Sequence, residues 1–265
     1  MGGNVLEDLS KEVSWYSVAF VKVRSQKGRE IPSLQGSGVL VRHGDYHGIL
    51  TAAHVAAELV KLDFIGLVYS EAPIQIAYKR EVFDIRTIAY DRGNTHGPDL
   101  AIVTPAIKLL NDLKAKMSFV NLHHCPRPVD MARSDSLAPA WSIMGAVQEL
   151  SCNEGENRDL RAMFMSYCCA TPTFQTRNGH DSFELRAEYS EGTDTPGSFK
   201  GVSGGGLWRA VLEREGHEAR ICDHPRLMGI TFYQEGMSDG ARIIRGHGPR
   251  SVYAMVPEFL AGRGI

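Results

Sequence analysis

The sequence holds no apolar run approaching the roughly 20 residues that cross a bilayer, so no transmembrane helix is expected. Its first residues, Met1 to Asp8, have neither a basic start nor an apolar stretch and do not read as a signal peptide. Gly2 opens a myristoylation pattern that fails at Leu6, where Ser or Thr is wanted. An excess of one charge is missing too. The 29 Lys and Arg stand against 31 Asp and Glu, a formal net charge of −2, so nothing electrostatic favours nucleic acid or an anionic membrane as partner. Cysteine is sparse and badly arranged for bridging. The 5 residues are Cys125, Cys152, Cys168, Cys169 and Cys222, an odd number with one adjacent pair. Reduced thiols and a cytoplasmic location are expected. A Cys-x-x-Cys pair is absent, so His123, His124, Cys125, Cys222, Asp223 and His224 lack zinc-knuckle spacing, and neither metal nor cofactor is expected.

What is present reads as β structure. Short apolar runs recur between turn signals: Val18–Val23, Ser37–Val41, Ile49-Leu50, Pro73–Tyr78, Ala101–Val103, Trp141–Gly145, Phe183–Glu188, Gly206–Trp208 and Met228–Tyr233. Many short strands at this spacing suggest a barrel or sandwich. Two helices are expected, Val55 to Leu62 and Ala106 to about Met117. With 43% hydrophobic and 23% charged residues, the 265-residue chain can bury a sizeable core.

Three stretches carry chemistry. In Gly201-Val202-Ser203-Gly204-Gly205-Gly206, glycines on both sides of a serine allow a sharp turn, expose the hydroxyl and let N–H groups converge on one point. In Gly48-Ile49-Leu50-Thr51-Ala52-Ala53-His54, a buried strand ends in small residues and presents a histidine, suited to general base work. In Gly97-Pro98-Asp99-Leu100-Ala101-Ile102-Val103, an aspartate heads an apolar strand, where it can hold an imidazole in one tautomer. Asp84 and Asp91 lie in the same region but head no such strand, and His96 reads as a loop residue.

With these motifs in the order His, Asp, Ser, the chain resembles the trypsin-like (chymotrypsin-fold) serine peptidases, over about Tyr16 to Leu260. The resemblance implies an all-β fold of two packed antiparallel β-barrels with a short C-terminal helix. It divides the single peptidase unit into an N-terminal barrel with an interbarrel helix at 13–117 and a C-terminal barrel and helix at 118–265. Ser251–Val256 would be the last strand, running into a helix to Leu260. It implies a serine endopeptidase with His54, Asp99 and Ser203 as triad and the N–H groups of Gly201 and Ser203 as oxyanion hole. The primary pocket would be lined by Gly197, Ser198, Phe199 and Lys200, by Thr231, Phe232, Tyr233 and Gln234, and by Ser251. Asp194 lies close to the pocket floor, which is otherwise neutral and favours an uncharged side chain before the cut. The partner implied is a protein or peptide substrate, with narrow specificity or gating by a regulatory protein.

Departures from the family pattern matter as well. Val202 stands where zymogen-type members carry an aspartate, Val55 where secreted ones carry a cysteine, and Gly206 where proline is usual. No PDZ-like extension follows the last expected strand. The alternative reading is a catalytically silent trypsin-like domain that binds a protein partner.

Overall fold

The computed structural model describes residues 5–26, 29–69, 76–125, 137–154, 159–177, 179–189, 196–215 and 218–264. Runs of β-branched and aromatic residues become strands that curl into two antiparallel sheets. In the first, β1 (Ser17–Gln26) lies between β2 (Arg29–His43) and β4 (Phe64–Tyr69). Gly44, at φ +58°, makes the tight turn from β2 into β3 (Tyr46–Thr51). Strand β3 pairs with β7 (Asp99–Pro105), Leu50 opposite Ile102. The edges are β5 (Ile76–Lys79) and β6 (Phe83–Tyr90), and β8 (Val120–Asn121) adds to β2 in parallel. Of the expected run Pro73–Tyr78, residues 73, 74 and 75 lie outside the described residues.

The second sheet runs in the order β10 (Asp159–Cys169), β9 (Leu137–Glu154), β13 (Gly206–Glu215), β14 (Glu218–Gln234), β15 (Ala241–His247), β12 (His180–Glu188) and β11 (Thr173–Arg177). Two long hairpins, β9–β10 and β13–β14, dominate it. This all-β pair of curled sheets with a short C-terminal helix is the chymotrypsin-like arrangement expected. No helix among the described residues is long and apolar enough to cross a membrane.

Both expected helices form, shifted slightly. The first, α2 (Ala53–Leu59), begins earlier than expected, so His54 lies in its first turn rather than before it. The second, α3 (Ile107–Lys116), buries Leu109, Leu110 and Leu113. An N-terminal helix was not expected. This is α1 (Val5–Ser14), whose Leu9 and Val13 enter the core between the sheets.

One expectation is corrected. Ser251–Val256 is not a strand: β15 is the last one, and 249–261 is helical, with a π-helical turn at Ser251–Met255 leading into α4 (Val256–Ala261). Gly248-Pro249 breaks the strand, and Pro249 opens the helix where a missing N–H costs nothing. The Asp181 carboxylate then accepts the N–H groups of Arg250 and Ser251, satisfying two orphan donors of the first turn.

The interface between the sheets is one apolar cluster. Val39, Leu50, Leu100 and Ile102 of the first sheet meet Met144, Trp208, Leu227 and Ile230 of the second, with Val252, Val256 and Leu260 sealing the end. The candidate residue Asp99 stands next to Leu100 at this seam.

Candidate active site

His54 and Asp99 come from different elements of the first sheet. Strand β7 begins at Asp99, and α2 starts directly beyond β3, its neighbour in the sheet. The carboxylate grips the histidine twice. Oδ2 is 2.6 Å from Nδ1, and Oδ1 accepts the His54 main-chain N–H at 2.8 Å. That N–H lies in the first helical turn, where it has no intrahelical partner, so the two contacts together fix both the ring and its backbone. An ionised carboxylate only accepts, so Nδ1 carries the proton and the Nε2 lone pair is left for a proton in transit. Nε2 has no partner among the described residues, and the side chain is 38% exposed against 11% for Asp99.

Ser203 lies on the loop between β12 and β13, which crosses to the first sheet. Its carbonyl accepts the N–H of Ser37 on β2 at 2.8 Å. A Cβ built on Gly36 would touch that carbonyl and the side chain of Val55, so Ser203 packs beside the residue that follows His54. Among the described residues the Ser203 hydroxyl makes no hydrogen bond, to His54 or to any other group.

The N–H groups of this loop divide cleanly. Phe199 N–H donates to Gln234 Oε1, Lys200 N–H to Ser198 Oγ, Val202 N–H to the Phe199 carbonyl, Gly204 N–H to Thr231 and Gly205 N–H to Val202. Those of Gly201 and Ser203 have no partner among the described residues. Peptide planarity explains their direction. The Lys200 carbonyl accepts from Gln148 N–H, so the Gly201 N–H of the same peptide unit points the opposite way. The Val202 carbonyl accepts from Gly205 N–H and Thr231 Oγ1, which turns Ser203 N–H outward by the same rule. Gly201 sits at φ +97°, where a Cβ would meet Leu34 and lie 2.8 Å from the Ala146 carbonyl, so only glycine fits.

Two hydroxyls that sequence reasoning missed, or read otherwise, hold the loop. Ser37 is fully buried. Its Oγ donates to the Gly201 carbonyl at 2.8 Å and accepts the Ala146 N–H at 2.9 Å, and its carbonyl receives Thr51 Oγ1. Thr231, expected to line the pocket, is 2% exposed and reaches the Val202 and Gly205 carbonyls instead. Val202 is buried with Phe199, Val147 and Leu207, so an apolar anchor fills the place where an ion pair was absent. Ser37→Ala strands the buried Ala146 N–H. It is expected to cost about 1–3 kcal/mol, read as a lower denaturant midpoint.

The other expected pocket residues divide. Gly197 offers its carbonyl to Arg242, Ser198 meets Gln234, and Lys200 is exposed. Phe199 is buried against Tyr167, and Arg245 lies over the partly buried Tyr233 ring. Phe232 is 4% exposed and packs on His247. Ser251 is corrected: it is fully buried, bonded to Asp181 and His247, and has no surface to line a pocket. Asp194 lies outside the described residues.

Four of the six candidate metal ligands make separate contacts. His123 stacks on His43 and accepts Gly44 N–H, His224 meets Glu12, Asp223 meets Arg226, and Cys222 donates to the Val211 carbonyl. Burial raises the Cys168 thiol above its ordinary range and pushes Cys169 up to about 12, which leaves both unreactive.

His247 is the remaining titratable group at the site. It is 1% exposed, and its Nε2 accepts the Asp99 main-chain N–H at 2.9 Å. Burial lowers it to about 4; Asp99 and Asp181 pull it back up, and His180 pushes it further down. The unfolded chain therefore binds this proton first as pH falls. Stability contributed by neutral His247 is full above about 6.5 and drains away toward 4. Melting temperature is expected to fall across that window, and to fall less steeply in His247→Gln.

No protein-family model matches the chain, and no curated protein matches it either. Solved structures do. One is the serine endoprotease from Yersinia pestis, with TM-score 0.48 and 17% identity over 98% of this chain and 67% of that one. Another comes from a study of coupled folding and binding of the intrinsically disordered Sesbania mosaic virus VPg protein, with TM-score 0.47 and 16% identity over 91% of this chain and 90% of that one.

Proposed function

We propose that this protein is a serine endopeptidase that cleaves peptide bonds through Ser203, His54 and Asp99. The observation that carries the reading is the pair of N–H groups on Gly201 and Ser203 that have no partner among the described residues, turned outward by the pinned Lys200 and Val202 carbonyls, together with the doubly held His54. Ser203 Oγ attacks the scissile carbonyl as His54 Nε2 takes its proton. The oxyanion falls to Gly201 and Ser203 N–H, and Asp99 stabilises the imidazolium. The leaving amine takes that proton; water, deprotonated in turn by His54, then attacks the acyl carbonyl, and His54 returns the proton to Ser203 Oγ as the acyl group leaves. Catalytic hydrogen bonds often tighten only once substrate is bound, so the lack of a Ser203–His54 hydrogen bond among the described residues is compatible with this cycle.

The tied loop and buried Val202 support a site that needs no proteolytic activation, with restriction set by substrate fit. Adjacent thiols at Cys168 and Cys169 accord with a cytoplasmic setting. The same lack of a hydrogen bond also supports a second reading, a silent domain that binds a protein partner. A fluorophosphonate probe decides between them. Labelling confined to Ser203 is the expected result, and a folded protein that stays unlabelled points to the binding module.

A further inference from the structure

The main-chain N–H of Asp99 sits at the seam, at the head of β7, buried away from water. A buried N–H must find an acceptor. The acceptor here belongs to the other sheet: His247, at the last position of β15. Because an N–H only donates, Nε2 holds the lone pair and Nδ1 holds the proton. Nδ1 faces Ser251 Oγ at 3.3 Å. Ser251 Oγ in turn donates to Asp181 Oδ1, which also accepts the Ser251 N–H at 2.7 Å, while Asp181 Oδ2 accepts the Arg250 N–H at 2.6 Å.

We infer that His247 is a positioning residue for the reaction, holding the backbone of Asp99 and, through Ser251 and Asp181, tying that aspartate to the start of the C-terminal helix. The inference rests on the reading of Asp99 as the partner of His54. The ring has one orientation available, because Phe232 packs on it at 5.1 Å and His180 at 6.3 Å between centroids. Facing it are Asp99 from β7, His180 and Asp181 from β12, Phe232 from β14 and Ser251 from the helical turn. Burial keeps the imidazole neutral, so its acceptor persists through the pH range in which a histidine base works.

The link to catalysis is geometric. The Asp99 carboxylate must meet two donors of His54 at once, at 2.8 and 2.6 Å. A side chain with two torsions can do so only from a fixed backbone. Loss of the N–H anchor lets β7 shift at its first residue, and misplacement of a catalytic group by about 1 Å can cost 10²-fold. Among the described residues His247 has no hydrogen bond to Ser203 or to the His54 ring; it acts through Asp99.

The test uses the full chain with His247→Phe, which keeps the ring shape without an acceptor, His247→Gln, whose amide oxygen can accept, and Ser251→Ala. Three quantities are read: Ser203 acylation rate by a fluorophosphonate, the split between kcat and KM on a peptide, and the downfield proton resonance of His54 Nδ1–H. His247→Phe is expected to lose roughly tenfold or more in acylation and kcat at unchanged KM, with the resonance displaced or broadened. His247→Gln is expected to stay within about threefold of wild type. A folded His247→Phe with wild-type acylation and resonance overturns the inference. Should that variant not fold, Ser251→Ala decides, since an unchanged resonance and rate there overturn it equally. A wild-type protein that gives the resonance but leaves Ser203 unlabelled sinks the endopeptidase reading alone, because the resonance reports the His54–Asp99 pair without turnover.

Discussion

Ser203→Ala is expected to fold and melt like the wild type while losing on the order of 10⁶-fold in kcat. The two halves of that expectation have separate causes. Stability is untouched because the hydroxyl has no hydrogen bond among the described residues, so its removal strands no partner and opens only a small space at a half-exposed position. What holds the loop is its backbone together with Ser37, Thr231 and Val202, and all of these survive the change. Activity collapses because the remaining groups have no nucleophile to serve. Members of a catalytic unit act together, so His54→Ala should cost about as much and the double variant little more. Matched melting curves and single-turnover acylation check both halves. A variant that retains wild-type turnover removes Ser203 from the mechanism.

Asp99→Asn is expected to lower kcat by on the order of 10⁴-fold with little change in KM. An amide offers one acceptor and one donor where the carboxylate offers two acceptors. The His54 main-chain N–H needs an acceptor, so the amide oxygen stays at the Oδ1 position and the NH₂ group faces Nδ1. Nδ1 must then accept, the proton moves to Nε2, and the ring presents a donor to Ser203 in place of a lone pair. The geometry is preserved while the tautomer is reversed. Steady-state kinetics beside the crystal structure of the variant would check this: unaltered ring placement with wild-type kcat would show that Asp99 does not set the tautomer.

The candidate triad was legible because each of its residues stands in a local pattern. His54 follows small residues at a strand end, Asp99 heads an apolar strand after Gly-Pro, and Ser203 lies among glycines. The two sheets and helices α2 and α3 were legible for the same reason, since periodicity and turn chemistry are local. The supporting residues were not. Ser37 reaches Gly201 across 164 residues and His247 reaches Asp99 across 148, and neither has any side-chain signature along the chain. Ser251 is placed in the pocket by the family resemblance alone, as the segment before Tyr253. The capping carboxylate that makes it helical, Asp181, is 70 residues away. Val202 looked like a missing ion pair, and only packing shows that it is buried.

Ser37 carries a consequence for biosynthesis. It lies in the first sheet, and the turn it shapes is made only after most of the second sheet's sequence has been translated. Ser37 is translated 164 residues before Gly201, whose carbonyl it holds. The Ser37 contacts to Gly201 and Ala146 therefore form only once the two sheets dock, which makes full anchoring of the 199–205 turn a late event of maturation.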